Sequence, residues 1–157
     1  SAYATNWINR HYIDFTINGL PVGENDSTVV VEQKDSTRLL DLTIAADGVS
    51  LEPDNPTEIS KIQIFKNSEL WNEWTDVNAP IKRILINDTA DITGTSYDHC
   101  IQKDDGNWYI HERSIRPVDP DSLNTGGEDY YYVRMIDSNP IRPGIAWCGP
   151  IWVKSKN

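Results

Sequence analysis

The side chains with which a chain of this kind could do acid–base, nucleophilic or metal chemistry are His11, His99 and His111 and the cysteines Cys100 and Cys148. Capture of a metal by nearby histidines needs a spacing such as His-x-His or His-Glu-x-x-His, which brings two imidazoles to one side of a strand or helix. None of the three stands in such a pattern, and each is expected on a sheet surface. The cysteines match no zinc spacing. Cys148 sits beside Trp147 in a strand-like run and reads as a packed thiol. Two buried thiols are expected, with a Cys100–Cys148 disulfide as the alternative. No Gly-x-Ser-x-Gly elbow, phosphate-binding loop or dinucleotide fingerprint occurs. The expectation is a chain without catalytic residues, metal ligands or cofactor.

Two constellations suit binding better than reaction. Residues 119–129, from Asp119 through Asp121 to Glu128 and Asp129, cluster oxygen donors as a calcium loop would. They lack the Asp-x-Asp-x-Asp-Gly register, so a solvated acidic loop is expected there. Trp71, Trp74 and Trp108 lie near turns, and Tyr109 follows the last of them. Exposed together, such rings would stack on the flat faces of sugars; turned inward, they would fill a core or an interdomain contact.

The elements that must position these groups are strands. Residues 11–17 alternate Ile13, Phe15 and Ile17 against polar neighbours, and Asn18-Gly19 then turns the chain. Further strands are expected at 28–33, 37–45, 59–66, 82–87 and 98–102. Residues 69–74 fit either a strand or one helical turn. Asp105-Gly106 marks a hairpin that returns through Trp108 and Tyr109. The loops are 52–56, with its two prolines, and 116–127.

The strongest strands are the last two, residues 130–136 and 146–153, dense in aromatic and β-branched residues. Tyr131, Val133 and Met135 fall on one face of the first, with Tyr130, Tyr132 and Arg134 on the other. Simple alternation puts Ile145, Trp147, Ile151 and Val153 on one face of the second. About eight to nine short strands without an amphipathic helix predict an all-β protein, an immunoglobulin-like or Greek-key β-sandwich in a single domain. The triplet Asp129-x-Tyr131-x-Val133 has the spacing of a tyrosine corner, whose hydroxyl ties its strand to the preceding backbone.

Composition sets the outer limits. The 157 residues suit one domain, and six Trp with seven Tyr supply large buried surfaces. A net charge of −10, with the basic residues scattered, argues against nucleic acid as a partner. No apolar run approaches the length of a membrane-spanning helix, so no membrane partner is expected. No leader is visible, which says little for a stretch cut from a longer chain; the residues leave the compartment open, with a slight lean to periplasmic or extracellular.

Both ends of the chain resemble one known group. The run Tyr131-Tyr132-Val133-Arg134-Met135, followed by Ala146-Trp147-Cys148-Gly149-Pro150-Ile151-Trp152-Val153, resembles the C-terminus of PHP-like metal-dependent hydrolases of the CehA–McbA type. Members end in Tyr-Tyr-Val-Arg-Val and then Ala-Trp-Ser-Ser-Pro-Ile-Trp-Val; here Cys148-Gly149 replaces the two serines. Tyr3-Ala4-Thr5-Asn6 and the stretch from Tyr12 to Gly23, with Asp14-Phe15 and Asn18-Gly19-Leu20-Pro21, resemble that family's passage out of its catalytic domain. Residues 59–67 are similar to its middle strand. No metal-binding motif of the family is matched. The resemblance implies a non-catalytic accessory β-sandwich over residues 11–157, with 1–10 the tail of a preceding domain or a linker. Its partner would be a catalytic domain upstream in the same polypeptide, and Tyr131, Arg134, Trp147, Pro150 and Trp152 would be structural positions of the family motif. A carbohydrate-binding module using Trp71, Trp74 and Trp108 is the alternative.

Overall fold

The computed structural model describes residues 10–47, 56–94, 100–119 and 127–156, which are predominantly strand. One sheet has the order β2-β1-β4-β7, where β1 is Tyr12–Ile17, β2 is Leu20–Pro21, β4 is Arg38–Ala45 and β7 is Ile81–Asp88. The other has the order β3-β11-β10-β5-β6. Its strands are β3 (Thr28–Val31), β5 (Ile59–Lys66), β6 (Glu69–Trp74), β10 (Glu128–Asp137) and β11 (Ile145–Ser155). Within the two sheets neighbours run antiparallel, apart from β3, which runs parallel to β11. A small hairpin pairs β8 (Ile101–Gln102) with β9 (Trp108–Tyr109).

The alternation read from the sequence supplies the packing. Ile13, Phe15 and Ile17 of β1 and Leu40, Leu42 and Ile44 of β4 are buried from one sheet. Ile62 and Ile64 of β5, with Tyr131, Val133 and Met135 of β10, meet them from the other. Two sheets sharing one core make an all-β sandwich. Eleven strands are present among the described residues against the eight or nine expected; the surplus comes from pieces as short as β2. Residues 69–74 are a strand, not a helical turn.

Alternation fails in β11. Ala146 and Cys148 are buried, and so are Ile151 and Val153, whereas Ile145 and Trp147 are exposed. Ile145 and Trp147 therefore do not share a face with Ile151 and Val153. Val133 pairs with Cys148 but Tyr131 pairs with Ile151, so Gly149 and Pro150 together oppose Tyr132. This is a β-bulge, one extra residue that reverses the inward phase. Gly149 makes it feasible: its φ is +124°, and a Cβ there would lie 2.8 Å from Tyr132 Cβ.

The Asp105-Gly106 turn forms as expected, with Gly106 at φ +81°. The Tyr109 hydroxyl donates to Asp105 at 2.6 Å, and Lys103 Nζ lies 4.1 Å from the Tyr109 ring centre. Cys100 and Cys148 form no disulfide; Cys148 is buried as expected, whereas Cys100, just ahead of the β8–β9 hairpin and outside the shared core, is only partly buried. Tyr3-Ala4-Thr5, His99, Gly48, residues 52–55 and residues 120–126 of the acidic loop lie outside the described residues.

Candidate functional site

Three regions gather side chains that can bind or react. The first is the outer face of the five-stranded sheet. Inward phase in β5 and β10 belongs to Ile62, Ile64, Val133 and Met135, so Gln63, Phe65, Tyr132 and Arg134 point out. Across the strands, Trp147, Arg134, Gln63 and Glu73 form one row, and Tyr132, Phe65 and Leu70 the next. Phe65 and Tyr132 stack with ring centres 4.8 Å apart and planes 7° from parallel. The Arg134 guanidinium carbon lies 4.9 Å from the ring centres of both Phe65 and Trp147, a cation–π clamp. Arg134 Nε donates to Gln63 Oε1 at 2.7 Å, and Gln63 donates in turn to Glu73. Further along the face Tyr130 meets Trp152 at 4.8 Å. Leu70 is 51% exposed, Trp147 38% and Ile145 37%.

Of the motif residues, Arg134, Trp147 and Trp152 thus belong to this face, Pro150 is exposed at the bulge, and Tyr131 points into the core. Of the two readings open for Trp71, Trp74 and Trp108, packing accounts for most of the ring surface. Trp71 and Trp74 are partly buried and pack against the core, Trp71 meeting the Tyr131 ring edge-on at 6.0 Å. Trp108 is half-buried on the separate hairpin, and Tyr109 beside it is buried. The bulk of these rings goes to packing. Sequence reasoning passed over Phe65 and Tyr132 as site residues because they stand within strands, where aromatic residues are usually core.

The second region lies at the last residue of β10. His11 and Asp137 are buried, with His11 Nε2 2.8 Å from Asp137 Oδ2. The Asp47 backbone N–H donates to His11 Nδ1 at 3.1 Å, so Nε2 carries the proton and donates to the carboxylate. Asp137 Oδ1 accepts from the backbone N–H groups of Gly144 at 2.7 Å and Asn139 at 3.0 Å. Both ring nitrogens are occupied, which leaves no base for a substrate. His11 is thus buried and not on a sheet surface, while His111 is exposed as expected. Among the described residues no group of three or more His, Cys, Asp or Glu is arranged to hold a metal ion.

The third region lies at the opposite end of β10. Arg38 opens β4, Asp88 closes β7, Lys66 closes β5 and Asp129 is the second residue of β10. Arg38, Asp88 and Asp129 are buried, and the Lys66 side chain is 14% exposed. Asp88 Oδ2 receives Lys66 Nζ at 2.6 Å and the Tyr131 hydroxyl at 2.7 Å; its Oδ1 receives the Ala90 N–H at 2.9 Å and faces Arg38 Nη2 at 3.2 Å. Asp129 Oδ1 accepts from Gly94 N at 2.8 Å, Asn67 Nδ2 at 2.9 Å and Thr93 N at 3.3 Å. Its Oδ2 has no hydrogen bond and faces Lys66 Nζ at 3.3 Å. Burial pushes Asp88 upward, but Lys66, Tyr131 and the Ala90 N–H outweigh it and hold the carboxyl below its ordinary value. Burial, then the bond to Asp88, raises the Tyr131 hydroxyl.

Here the tyrosine-corner expectation is corrected. The Tyr131 hydroxyl reaches the Asp88 side chain on the facing sheet, not a preceding backbone group, because a buried carboxylate offers the stronger acceptor. Asp129 likewise turns into the protein and is unavailable to a calcium loop at 119–129.

No protein-family model, curated protein or solved structure matches the chain.

Proposed function

We propose that this chain is a non-catalytic β-sandwich module that packs, through the outer face of its five-stranded sheet, on a PHP-like metallohydrolase domain upstream in the same polypeptide. The observation that carries the reading is the face formed by Phe65, Tyr132, Arg134, Trp147, Leu70 and Ile145. A contiguous aromatic and aliphatic surface of this kind marks an interaction site. Its composition, aromatic rings around one arginine, is that of an interface centre. The resemblance at both ends of the sequence supports a catalytic domain as the occupant. The strand orders β1-β4-β7 and β3-β11-β10-β5-β6, with β3 parallel to β11, support an immunoglobulin-like reading of the sandwich.

The test has two stages. The coding sequence around this stretch is expected to contain, upstream, a domain with paired His-x-His and later His and Asp ligands. Hydrogen exchange is then compared between the module alone and the longer chain, with β5, β6 and β10 expected to gain protection. An unrelated neighbouring domain, or unchanged exchange on that face, overturns the reading. Glycan binding abolished by Trp147→Ala in the isolated module would replace it.

A further inference from the structure

The charged cluster at the start of β10 is arranged as an amide-forming centre. We propose that Lys66 and Asp129 condense within the folded chain to an isopeptide bond, Lys66 Nζ to Asp129 Cγ, with Asp88 as the proton carrier. The nucleophile, the electrophile and the base each have a counterpart in the geometry.

Lys66 Nζ lies 3.3 Å from Asp129 Oδ2, an oxygen without a hydrogen bond. The other oxygen of that carboxyl, Oδ1, is held by three N–H groups, from Gly94, Asn67 and Thr93. Three donors on one oxygen and none on the other polarise the carboxyl as an oxyanion hole polarises a carbonyl. Asp88 Oδ2 lies 2.6 Å from the same Nζ and is itself fixed by Tyr131. The rings of Tyr131 and Trp71, with centres 5.7 and 6.0 Å from Nζ, flank the amine and confine it beside the two carboxyls.

The reaction starts from an ammonium and two carboxylates. Nζ passes one proton to Asp88, which relays it to Asp129 Oδ2. The free amine attacks Cγ, and the C=O electron pair moves onto Oδ1 under the three N–H donors. The nitrogen loses a second proton through Asp88 to Oδ2, the Cγ–Oδ2 bond breaks, and Oδ2 leaves as water. One N–H remains on the amide, Asp88 returns to its carboxylate form, and no oxidant or co-reactant is consumed. Two opposite buried charges disappear, leaving Asp88 matched by Arg38. The desolvation cost of an ion pair in the core favours that outcome.

The intact mass of the folded chain, incubated at neutral pH and measured under denaturing conditions, tests this. It is expected to fall below the sequence mass by one water, and a digest to contain one branched peptide joining Lys66 to Asp129. Lys66→Arg, which keeps the charge but cannot form this amide, is expected to show the full mass. Asp129→Asn is expected to lose one ammonia and give the same branched peptide. The full mass in the wild-type chain overturns the proposal. So does a water loss that persists in Lys66→Arg, since Asp47-Gly48 and Asp105-Gly106 can cyclise to succinimides of the same mass. A branch from Lys66 to Asp88 overturns the roles assigned to the two carboxyls. The wild-type digest decides even where a variant fails to fold.

Discussion

Strand β10 buries an aspartate at each end, and the two are solved differently. At Asp137 the His11 ring and two backbone N–H groups meet the carboxylate, and the imidazole that serves it has its second nitrogen tied to Asp47. At Asp129 one oxygen is saturated and the other bare, and the nearby lysine is shared with a second carboxylate. Buried polar groups in folded proteins are normally satisfied, so the first arrangement is what stability alone produces. The second leaves reactive atoms facing each other. Proximity of titratable groups therefore says less about reactivity than the number of lone pairs and protons left unused.

Substitutions can separate the two ends. The largest effect is expected from Asp88→Ala, which strands Lys66 and Arg38 without their shared carboxylate and costs about 3–5 kcal/mol in urea denaturation. Asp137→Ala leaves the His11 ring and two amide N–H groups unmet, at about 1–3 kcal/mol by the same measurement. An equal loss at both ends would dissolve the distinction between a charged and a hydrogen-bonded anchor.

Acid sharpens it further. Asp88 is held below its ordinary value of 3.8, so on acidification the unfolded chain takes up that proton first. The stability Asp88 contributes is present above pH 3.8 and is lost as pH falls through its lower folded value. Unfolding free energy measured from pH 6 downward in steps of about one unit should decline in that acid range, and Asp88→Asn should flatten the decline. The smallest effect belongs to the outer face. Trp147→Ala should change stability by no more than about 0.5–1 kcal/mol in this chain while weakening its association with the proposed upstream domain. A loss of several kcal/mol would make that ring structural.

Much of this was legible in the residues. Period-two alternation placed β1, β4, β5, β7 and β10 to within a residue or two, because each has one face in a shared core. It also carried an unused signal. Arg38, Lys66, Asp88 and Asp129 all occupy the inward phase of their strands, in step with Leu40, Ile64, Ile86 and Tyr131. A charged residue in an apolar phase at a strand end indicates a buried ionic site. Which of the four meet was not readable, since that depends on how the sheets face each other. Likewise His11 carries no local mark of its partner Asp137, which comes from the far end of the chain. Alternation put Tyr132 on the face opposite Tyr131, but its stacking with Phe65 was not readable, since that depends on the register between β5 and β10.

The bulge at Gly149-Pro150 acts on β11 as a frameshift acts on a message. Upstream of it even-numbered residues are read by the core, and downstream odd-numbered ones. Trp147 and Trp152, which a regular strand would send to opposite sides, consequently emerge on the same surface. A single-residue deletion there would not merely shorten the strand. It would set Cys148 and Ile151 two positions apart, so that a regular strand without a bulge would hold Ala146, Cys148, Ile151 and Val153 on one face.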